Sequence, residues 1–142
     1  NFGESIFSAG RINKEFLTNN IFNNTSFRQK LNSLVHPFVD RSFELWCKSQ
    51  KSQIIFKEAA IIFETGLNKK LDFVICITAK SSLQISRVKA RDGRSELEIN
   101  QIINNQMKQS EKEELSDFII HNNETESLLL QITEILKQVT VS

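Results

Sequence analysis

Arg87, Arg91 and Arg94 are spaced by four and three residues, so they share one helical face if a helix runs that far. A planar guanidinium matches phosphate oxygens, and three such groups on one face repel one another unless an anion joins them. The spacing is therefore typical of a polyphosphate clamp. The alternative interpretation is a solvated face in which the arginines pair with Glu96 and Glu98.

Other polar side chains could also contact a ligand. Glu58 and Glu64 follow an apolar run, and acids beyond the carboxyl end of a parallel strand lie where ligands bind. Glu64 could equally be an N-cap or first-turn acid of a helix. His36 could cap a helix end or contact a phosphate in a cleft. Asn122 and Asn123 could form a plain turn or offer amide and backbone groups to a purine ring.

The elements that would hold these residues change along the chain. In the first half, the sequence predicts three short helices. The first covers residues 13–20, and the second runs from Thr25 or Ser26 to a break at His36-Pro37. The third follows this break and runs to about Lys48. In the second half, apolar runs at residues 54–56, 73–77 and 118–120 predict buried strands. The helices between and after them are predicted over residues 81–91, 96–107, 110–115 and 125–139, with Gly93 ending the first. This alternation predicts an α/β fold with a parallel sheet covered on both faces and a helical subdomain at the front.

Composition excludes several classes of protein. The 142 residues, 39% of them hydrophobic, are enough for one domain with a buried core. A net charge of +1 gives no general electrostatic reason to expect a nucleic acid or membrane partner. No apolar run approaches the length of a membrane span. Cys47 and Cys76 are far apart, which fits a reducing cytoplasm; Cys76 is predicted to be a small core residue, and a zinc site is not expected.

Four segments, in this order, resemble motifs of the dephospho-coenzyme A kinase family. They are residues 31–37, 58–67 and 84–92, and the stretch from Asn105 to Asn123. Each is weak alone, but the four in register are specific, and the resemblance covers residues 2–139. Two positions depart from it, because Ala60 stands where a proline is usual and Glu124 where a glycine is common.

The resemblance implies a reaction and a set of site residues. Dephospho-coenzyme A kinases transfer the γ-phosphoryl group of ATP, with Mg²⁺, to the ribose 3′-hydroxyl of dephospho-coenzyme A, the last step of coenzyme A synthesis. Arg87 is then the catalytic arginine of a lid, at about residues 87–107, and residues 10–50 form the coenzyme A-binding subdomain. The implied nucleotide-binding residues are Arg87, Arg91, Asn122 and Asn123. The implied substrate-binding residues are His36, Glu58, Phe63 and Glu64, and no resident metal ligand is assigned.

The family opens with a strand, a phosphate-binding loop, a helix and an aspartate base, and residues 1–3 resemble a segment beyond them. The chain is therefore expected to be the C-terminal part of a longer protein, inactive by itself. The complete P-loop kinase-like, three-layer fold would have strand order 2-3-1-4-5. Residues 54–56 would be its third strand and residues 73–77 its fourth, with strands one and two absent.

Two alternatives remain open. One is another P-loop small-molecule kinase, such as a nucleoside-monophosphate kinase, although the His36-Pro37 context argues against it. The other is a non-enzymatic α/β interaction module. The partners expected from the first interpretation are ATP and dephospho-coenzyme A, in the cytoplasm.

Overall fold

The computed structural model describes residues 6–8 and 10–140, and the chain divides into two compact units, one up to Lys57 and one from Glu58 onward. Residues 1–3, which resemble a family segment, lie outside the described residues. In chain order the elements are β1 (Phe7–Ser8), β2 (Arg11–Ile12), α1 (Lys14–Asn23), α2 (Thr25–Ser49), a 3₁₀ helix (Leu67–Lys70), β3 (Ile75–Thr78), α3 (Ser81–Asp92), α4 (Glu96–Asn104), α5 (Gln109–Glu114), β4 (Phe118–His121) and α6 (Leu128–Thr140). Within this described part, no helix has both the length and the apolar character that crossing a bilayer requires.

The first unit consists of a short antiparallel pair, β1 with β2, followed by α1 and α2. Asparagine caps begin both helices, because an amide oxygen can accept a backbone N–H that has no partner inside the helix. Asn13 accepts from Phe16 N at 3.0 Å, and Asn24 accepts from Phe27 N at 2.9 Å. The rings of Phe16 and Phe27 meet edge to face, with centroids 6.0 Å apart, and join α1 to α2.

The predicted helix break at His36-Pro37 is wrong, since α2 continues through Pro37 as one helix of 25 residues. Proline removes one helical hydrogen bond, which costs about 3 kcal/mol in a helix interior. Here the carbonyl without a helical donor belongs to Ser33, and both Ser33 and Pro37 are exposed, so water can bond that carbonyl. His36 consequently lies inside a helix, and the interpretation that it caps a helix end is wrong.

The second unit is built on a parallel strand pair. β3 and β4 are hydrogen-bonded neighbours in a register that runs from Ile75 opposite Phe118 to Thr78 opposite His121. The predicted strands at 73–77 and 118–120 are thus confirmed, with their ends shifted by one or two residues. The described core consists of Val74, Cys76, Ile99, Ile120 and Ile135, which confirms the prediction for Cys76.

The strand predicted at residues 54–56 is not formed. This segment has neither helix nor strand conformation, and Phe56 is 68% exposed. A strand requires a neighbour that accepts and donates its backbone hydrogen bonds, and the paired strands among the described residues are β1 with β2 and β3 with β4. Apolar composition alone was therefore an insufficient signal here.

The helices of the second unit follow local signals. Gly93 ends α3 in the left-handed region at φ 66°, as predicted, because a residue without Cβ adopts this conformation at little cost. Ser95 and Glu98 form a capping box at the start of α4, and the Ser95 hydroxyl and N–H lower the pKa of Glu98. α6 packs on β4, where the Gln131 amide pairs with His121 N at 2.8 Å and His121 O at 3.1 Å. All four predicted helices are present, with ends shifted by at most three residues.

Asp117 joins the beginnings of the two parallel strands. The N–H of Val74 donates to Asp117 Oδ2 at 2.7 Å, and the Val74 carbonyl accepts from Asp117 N at 3.0 Å and Phe118 N at 3.2 Å. Val74 is buried, so each of its backbone groups requires a partner. Asp117 supplies both kinds of partner and extends the pairing beyond the end of the sheet.

We predict that Asp117→Ala lowers the free energy of unfolding by about 1–3 kcal/mol, because a buried N–H loses a charged acceptor. Asp117→Asn keeps an acceptor oxygen and should lose less. Urea unfolding of the whole protein, followed by circular dichroism, measures both values. Asp72→Ala is the matched control, since it removes the same charge from an exposed position nearby; an equal loss in both alanine variants would contradict this role of Asp117.

Candidate functional site

The side chain of Arg87 reaches from α3 to the loop that follows β4. Its Nη1 donates to Asn122 O at 3.0 Å, and its Nη2 donates to Glu124 Oε1 at 2.9 Å and Asn122 Oδ1 at 3.4 Å. Asn122 N in turn donates to Thr78 O at 2.8 Å, which continues the β3–β4 ladder by one step. The guanidinium therefore lies just beyond the carboxyl ends of both strands, where parallel sheets bind ligands.

A second contact fixes the same loop to the beginning of α3. Asn123 Oδ1 accepts from the backbone N–H of Lys80 at 2.8 Å. Asn122 and Asn123 are both half-buried, and their amide oxygens are engaged within the protein. The structure thus brings together Arg87, Asn122 and Asn123, three of the four residues predicted to bind nucleotide.

Glu124 completes this arrangement, although in the sequence it stands out only as a departure from the family pattern. Its backbone has φ 65°, in the region that glycine adopts without strain. A side chain is rare in this conformation, so the glutamate keeps a glycine-like turn while adding a carboxylate beside Arg87. The replacement of an expected glycine by a charged residue was the signal that could have identified it.

The other two arginines are directed to a different acceptor. Arg91 donates to Asp92 through Nε at 2.7 Å and Nη2 at 2.9 Å, and Arg94 Nε lies 3.7 Å from the same carboxylate. The hydrogen bond from Arg91 lowers the pKa of Asp92. Because Gly93 ends α3, Arg94 is not on the helix, so the condition for one helical face of three arginines is not met. The alternative interpretation paired the arginines with Glu96 and Glu98; in the structure the carboxylate of Asp92 is the partner of Arg91 and Arg94.

Residues from two of the resembling segments, residues 58–67 and the stretch from Asn105 to Asn123, meet at Lys112, in a group that we name the Lys112 cluster: Ala60, Glu64, Gln106, Met107 and Lys112. Lys112 Nζ lies 3.0 Å from Gln106 Oε1, 3.4 Å from Ala60 O and 3.8 Å from Glu64 Oε1. Glu64 Oε1 also accepts from Met107 N at 2.7 Å. The N-cap interpretation of Glu64 is therefore wrong, since Glu64 lies in a turn and joins that turn to the segment between α4 and α5.

The remaining predicted substrate contacts lie at separate places. His36 is half-buried within α2, in the first unit. Glu58 is exposed at the beginning of the second unit, and Phe63 is half-buried in the turn before the 3₁₀ helix, where its carbonyl accepts from Gly66 N at 3.0 Å. A role in substrate binding stays a prediction for each of them, and for Glu64.

A polar group also lies on the face of the sheet toward α5. The Thr78 hydroxyl and the Gln109 amide donate to Glu113 and hold the pKa of this carboxyl below its ordinary value, with a smaller contribution from His121. Gln109 also donates to Cys76 Sγ at 3.2 Å. Over residues 6–8 and 10–140, no three His, Cys, Asp or Glu side chains converge in a way that could hold a metal ion.

Comparison with known proteins now decides the family. The family model described as "CoaE: Dephospho-CoA kinase" matches residues 1–127. This chain belongs to the dephospho-CoA kinase family. The family that the sequence resembles is therefore confirmed.

Individual members of the dephospho-CoA kinase family agree with this match. A dephospho-CoA kinase of Bacteroides fragilis strain YCH46 is 33% identical over 135 residues, and one of Dichelobacter nodosus is 32% identical over 123 residues. These alignments cover 94% and 86% of this chain. The chain spans 66% and 62% of the lengths of these two relatives, which is slightly less than two thirds.

A solved structure shares the fold. The crystal structure of TT1252 from Thermus thermophilus superposes with a TM-score of 0.84 at 24% identity, covering 99% of this chain and 72% of that chain. Together with the parallel pairing of β3 and β4, this likeness confirms the predicted α/β fold class with a parallel sheet. The adjacency of β3 and β4 also agrees with strands four and five of the predicted order.

For this member of the dephospho-CoA kinase family, we predict that Lys112→Ala lowers the free energy of unfolding by about 1–3 kcal/mol. The substitution removes a donor to two acceptors, Gln106 Oε1 and Ala60 O, and leaves Glu64 without its cation. Lys112→Met keeps the apolar stem and should lose nearly as much, if the ammonium is what matters. Lys108→Ala, at an exposed position, is the control; denaturant unfolding in which the two alanine variants match would contradict the prediction.

A second prediction concerns acid stability. Because the folded-state pKa of Glu113 is lowered, its carboxylate stabilises the fold above the ordinary value of 4.5, and this contribution is lost as the pH falls through the lower folded value. Thr78→Val removes the main donor, so the pKa of Glu113 should rise and acid unfolding should begin at higher pH. Titration of the Glu113 carboxyl carbon by NMR measures the shift. Thr133→Val, at an exposed position of α6, is the control, and an unchanged Glu113 titration in Thr78→Val would refute the assignment.

Proposed function

We propose that the whole protein transfers the γ-phosphoryl group of ATP to the ribose 3′-hydroxyl of dephospho-coenzyme A. The observation that carries this proposal is the family match over residues 1–127. The position of Arg87 supports it, because a guanidinium beyond the carboxyl ends of two parallel strands is suited to a phosphorylated ligand. Two relatives named dephospho-CoA kinase, aligned over most of this chain, support it further.

In this proposal Arg87 stabilises the phosphates during transfer. Phosphoryl transfer needs mainly positioning and neutralisation of charge on the phosphate oxygens. The Asn122 carbonyl holds one nitrogen of the guanidinium, and the side chain is 36% exposed, so part of the fork remains open to a ligand. A planar guanidinium that is held in place contributes more to phosphate binding than a flexible lysine ammonium, because less conformational freedom is lost on binding.

The other proposed roles follow the family resemblance. Arg91 would be a second cation of the lid at about residues 87–107, and it would have to leave Asp92 to contact a phosphate. Asn122 and Asn123 would approach the adenine through atoms that their internal hydrogen bonds leave available. His36, Glu58 and Phe63 would contact dephospho-coenzyme A, with residues 10–50 as the helical subdomain. Glu64 would contribute through the turn that it anchors to Met107.

Mg²⁺ is proposed as the counter-ion of ATP. Kinases usually hold it through one or two carboxylates together with the phosphates of the nucleotide. The described residues provide no cluster of three metal-binding side chains, and Glu58 is a single exposed carboxylate. The described residues therefore do not make a magnesium site by themselves.

We infer a cytoplasmic location and small-molecule partners only. Both cysteines are free, which fits a reducing compartment. The net charge of +1 is consistent with partners other than nucleic acids or anionic membranes.

We predict that Arg87→Ala slows phosphorylation of dephospho-coenzyme A by about a hundredfold in the whole protein, because charge stabilisation in the transition state is lost. Arg87→Lys should recover only part of the rate. Steady-state kinetics with ATP and dephospho-coenzyme A measures both effects. Lys89→Ala, which removes an exposed cation from the same helix, is the matched control and should leave the rate nearly unchanged.

The choice of acceptor in the same assay tests the alternatives. Phosphorylation of AMP or UMP in preference to dephospho-coenzyme A would favour a nucleoside-monophosphate kinase. An absence of transfer to all three acceptors would favour a non-enzymatic module. Near-normal turnover in Arg87→Ala would remove Arg87 from the site.

A further inference from the structure

The guanidinium of Arg87 is shared between two kinds of acceptor. Asn122 supplies neutral oxygens, its carbonyl at 3.0 Å from Nη1 and its amide oxygen at 3.4 Å from Nη2. Glu124 supplies a charged oxygen at 2.9 Å from Nη2. Only the second is a formal anion, and its contact is with Nη2.

The two acceptors differ in how firmly they are built into the protein. Asn122 is half-buried, and its N–H continues the sheet by donating to Thr78 O at 2.8 Å. The Glu124 side chain is 68% exposed, so water can replace the ion pair at small cost. Asn122 can therefore orient Arg87 without Glu124, whereas Glu124 adds a carboxylate that a bound anion must displace.

The backbone at Glu124 makes this carboxylate unexpected. A φ of 65° is strained for a residue with a side chain, and a glycine would hold the same turn with less strain. A turn requirement alone therefore does not explain the glutamate. Its observed contact is with Arg87, which directs attention to what the carboxylate does there.

We propose that the Glu124 carboxylate competes with the polyphosphate of the nucleotide for Arg87, and so sets the affinity of the site. This inference rests on the proposed function, in which Arg87 binds the phosphates. In the free protein Glu124 occupies Nη2. A polyphosphate that binds Nη2 displaces Glu124, and the loss of that ion pair reduces the net gain of binding. Glu124 sets the affinity for the polyphosphate in this scheme, and it takes no part in phosphoryl transfer.

The direct test is Glu124→Gln in the whole protein. Removal of the charge should lower the dissociation constant and the KM for ATP about two- to fivefold, the range that an exposed ion pair spans, with kcat unchanged. Glu126→Gln removes the same charge from an exposed residue of the same loop and should change either value by much less. An unchanged or raised dissociation constant in Glu124→Gln would overturn the proposal, because Glu124 would then be neutral or would help to position Arg87.

A second variant separates charge from strain. Glu124→Gly removes the carboxylate and suits the backbone at φ 65°, so it should fold at least as well as the parent and bind ATP more tightly. In the Arg87→Ala background, Glu124→Gln should have no effect on ATP binding, because the guanidinium for which the carboxylate and the polyphosphate compete is absent. An equal gain in both backgrounds would mean that the glutamate acts through general repulsion, which would overturn the proposed pairing.

Two further measurements distinguish this inference from the proposed function. Binding of inorganic tripolyphosphate, measured by calorimetry, tests the competition without a nucleoside or an acceptor. If the parent protein does not phosphorylate dephospho-coenzyme A, the proposed function fails, yet the tripolyphosphate comparison still decides the role of Glu124. High salt should reduce the ratio between parent and Glu124→Gln towards one, since both competing contacts are screened; a ratio that does not depend on salt would contradict an electrostatic competition.

Discussion

The parallel pairing of β3 with β4 places Thr78 opposite His121, and this register decides where the loop after β4 emerges. At one end, Asp117 satisfies both backbone groups of Val74, and at the other, Asn122 N donates to Thr78 O. A slip of one residue would turn every side chain of a strand to the opposite face. The same slip would move Asn122 away from Arg87, so the site depends on the backbone hydrogen bonds of the sheet.

The loop from Asn122 to Glu124 shows how a parallel strand pair orients a cation beyond its carboxyl end. Neutral oxygens orient the guanidinium, and an exposed carboxylate balances its charge. The strain of a glutamate in the left-handed region is about 1–2 kcal/mol, which is comparable to what an exposed ion pair can contribute. Such a contact is weak enough to exchange for a ligand, whereas the backbone hydrogen bonds of the sheet remain in place.

The Lys112 cluster connects two of the resembling segments, residues 58–67 and the stretch from Asn105 to Asn123, by side-chain contacts. Glu64 accepts from a backbone N–H beyond α4, and Lys112 donates to the turn that contains Ala60. An ion pair at 3.8 Å with small side-chain exposure is less screened by solvent than a surface pair. These residues therefore join the segment before β3 to the segment between α4 and α5, which is a positioning role within the second unit.

Short-range signals in the sequence were sufficient for the α/β alternation, for the end of α3 at Gly93 and for the buried Cys76, because each depends on neighbours a few residues apart. Four motifs in register were also sufficient for the family. The tertiary structure alone decided that residues 54–56 would not be a strand and that α2 would continue through Pro37. It also decided which acceptors Arg87 would find and which donor Glu64 would find, since these partners lie 35 to 43 residues away along the chain. No local pattern encodes such a pairing, because it exists only when β3 and β4 have taken their register.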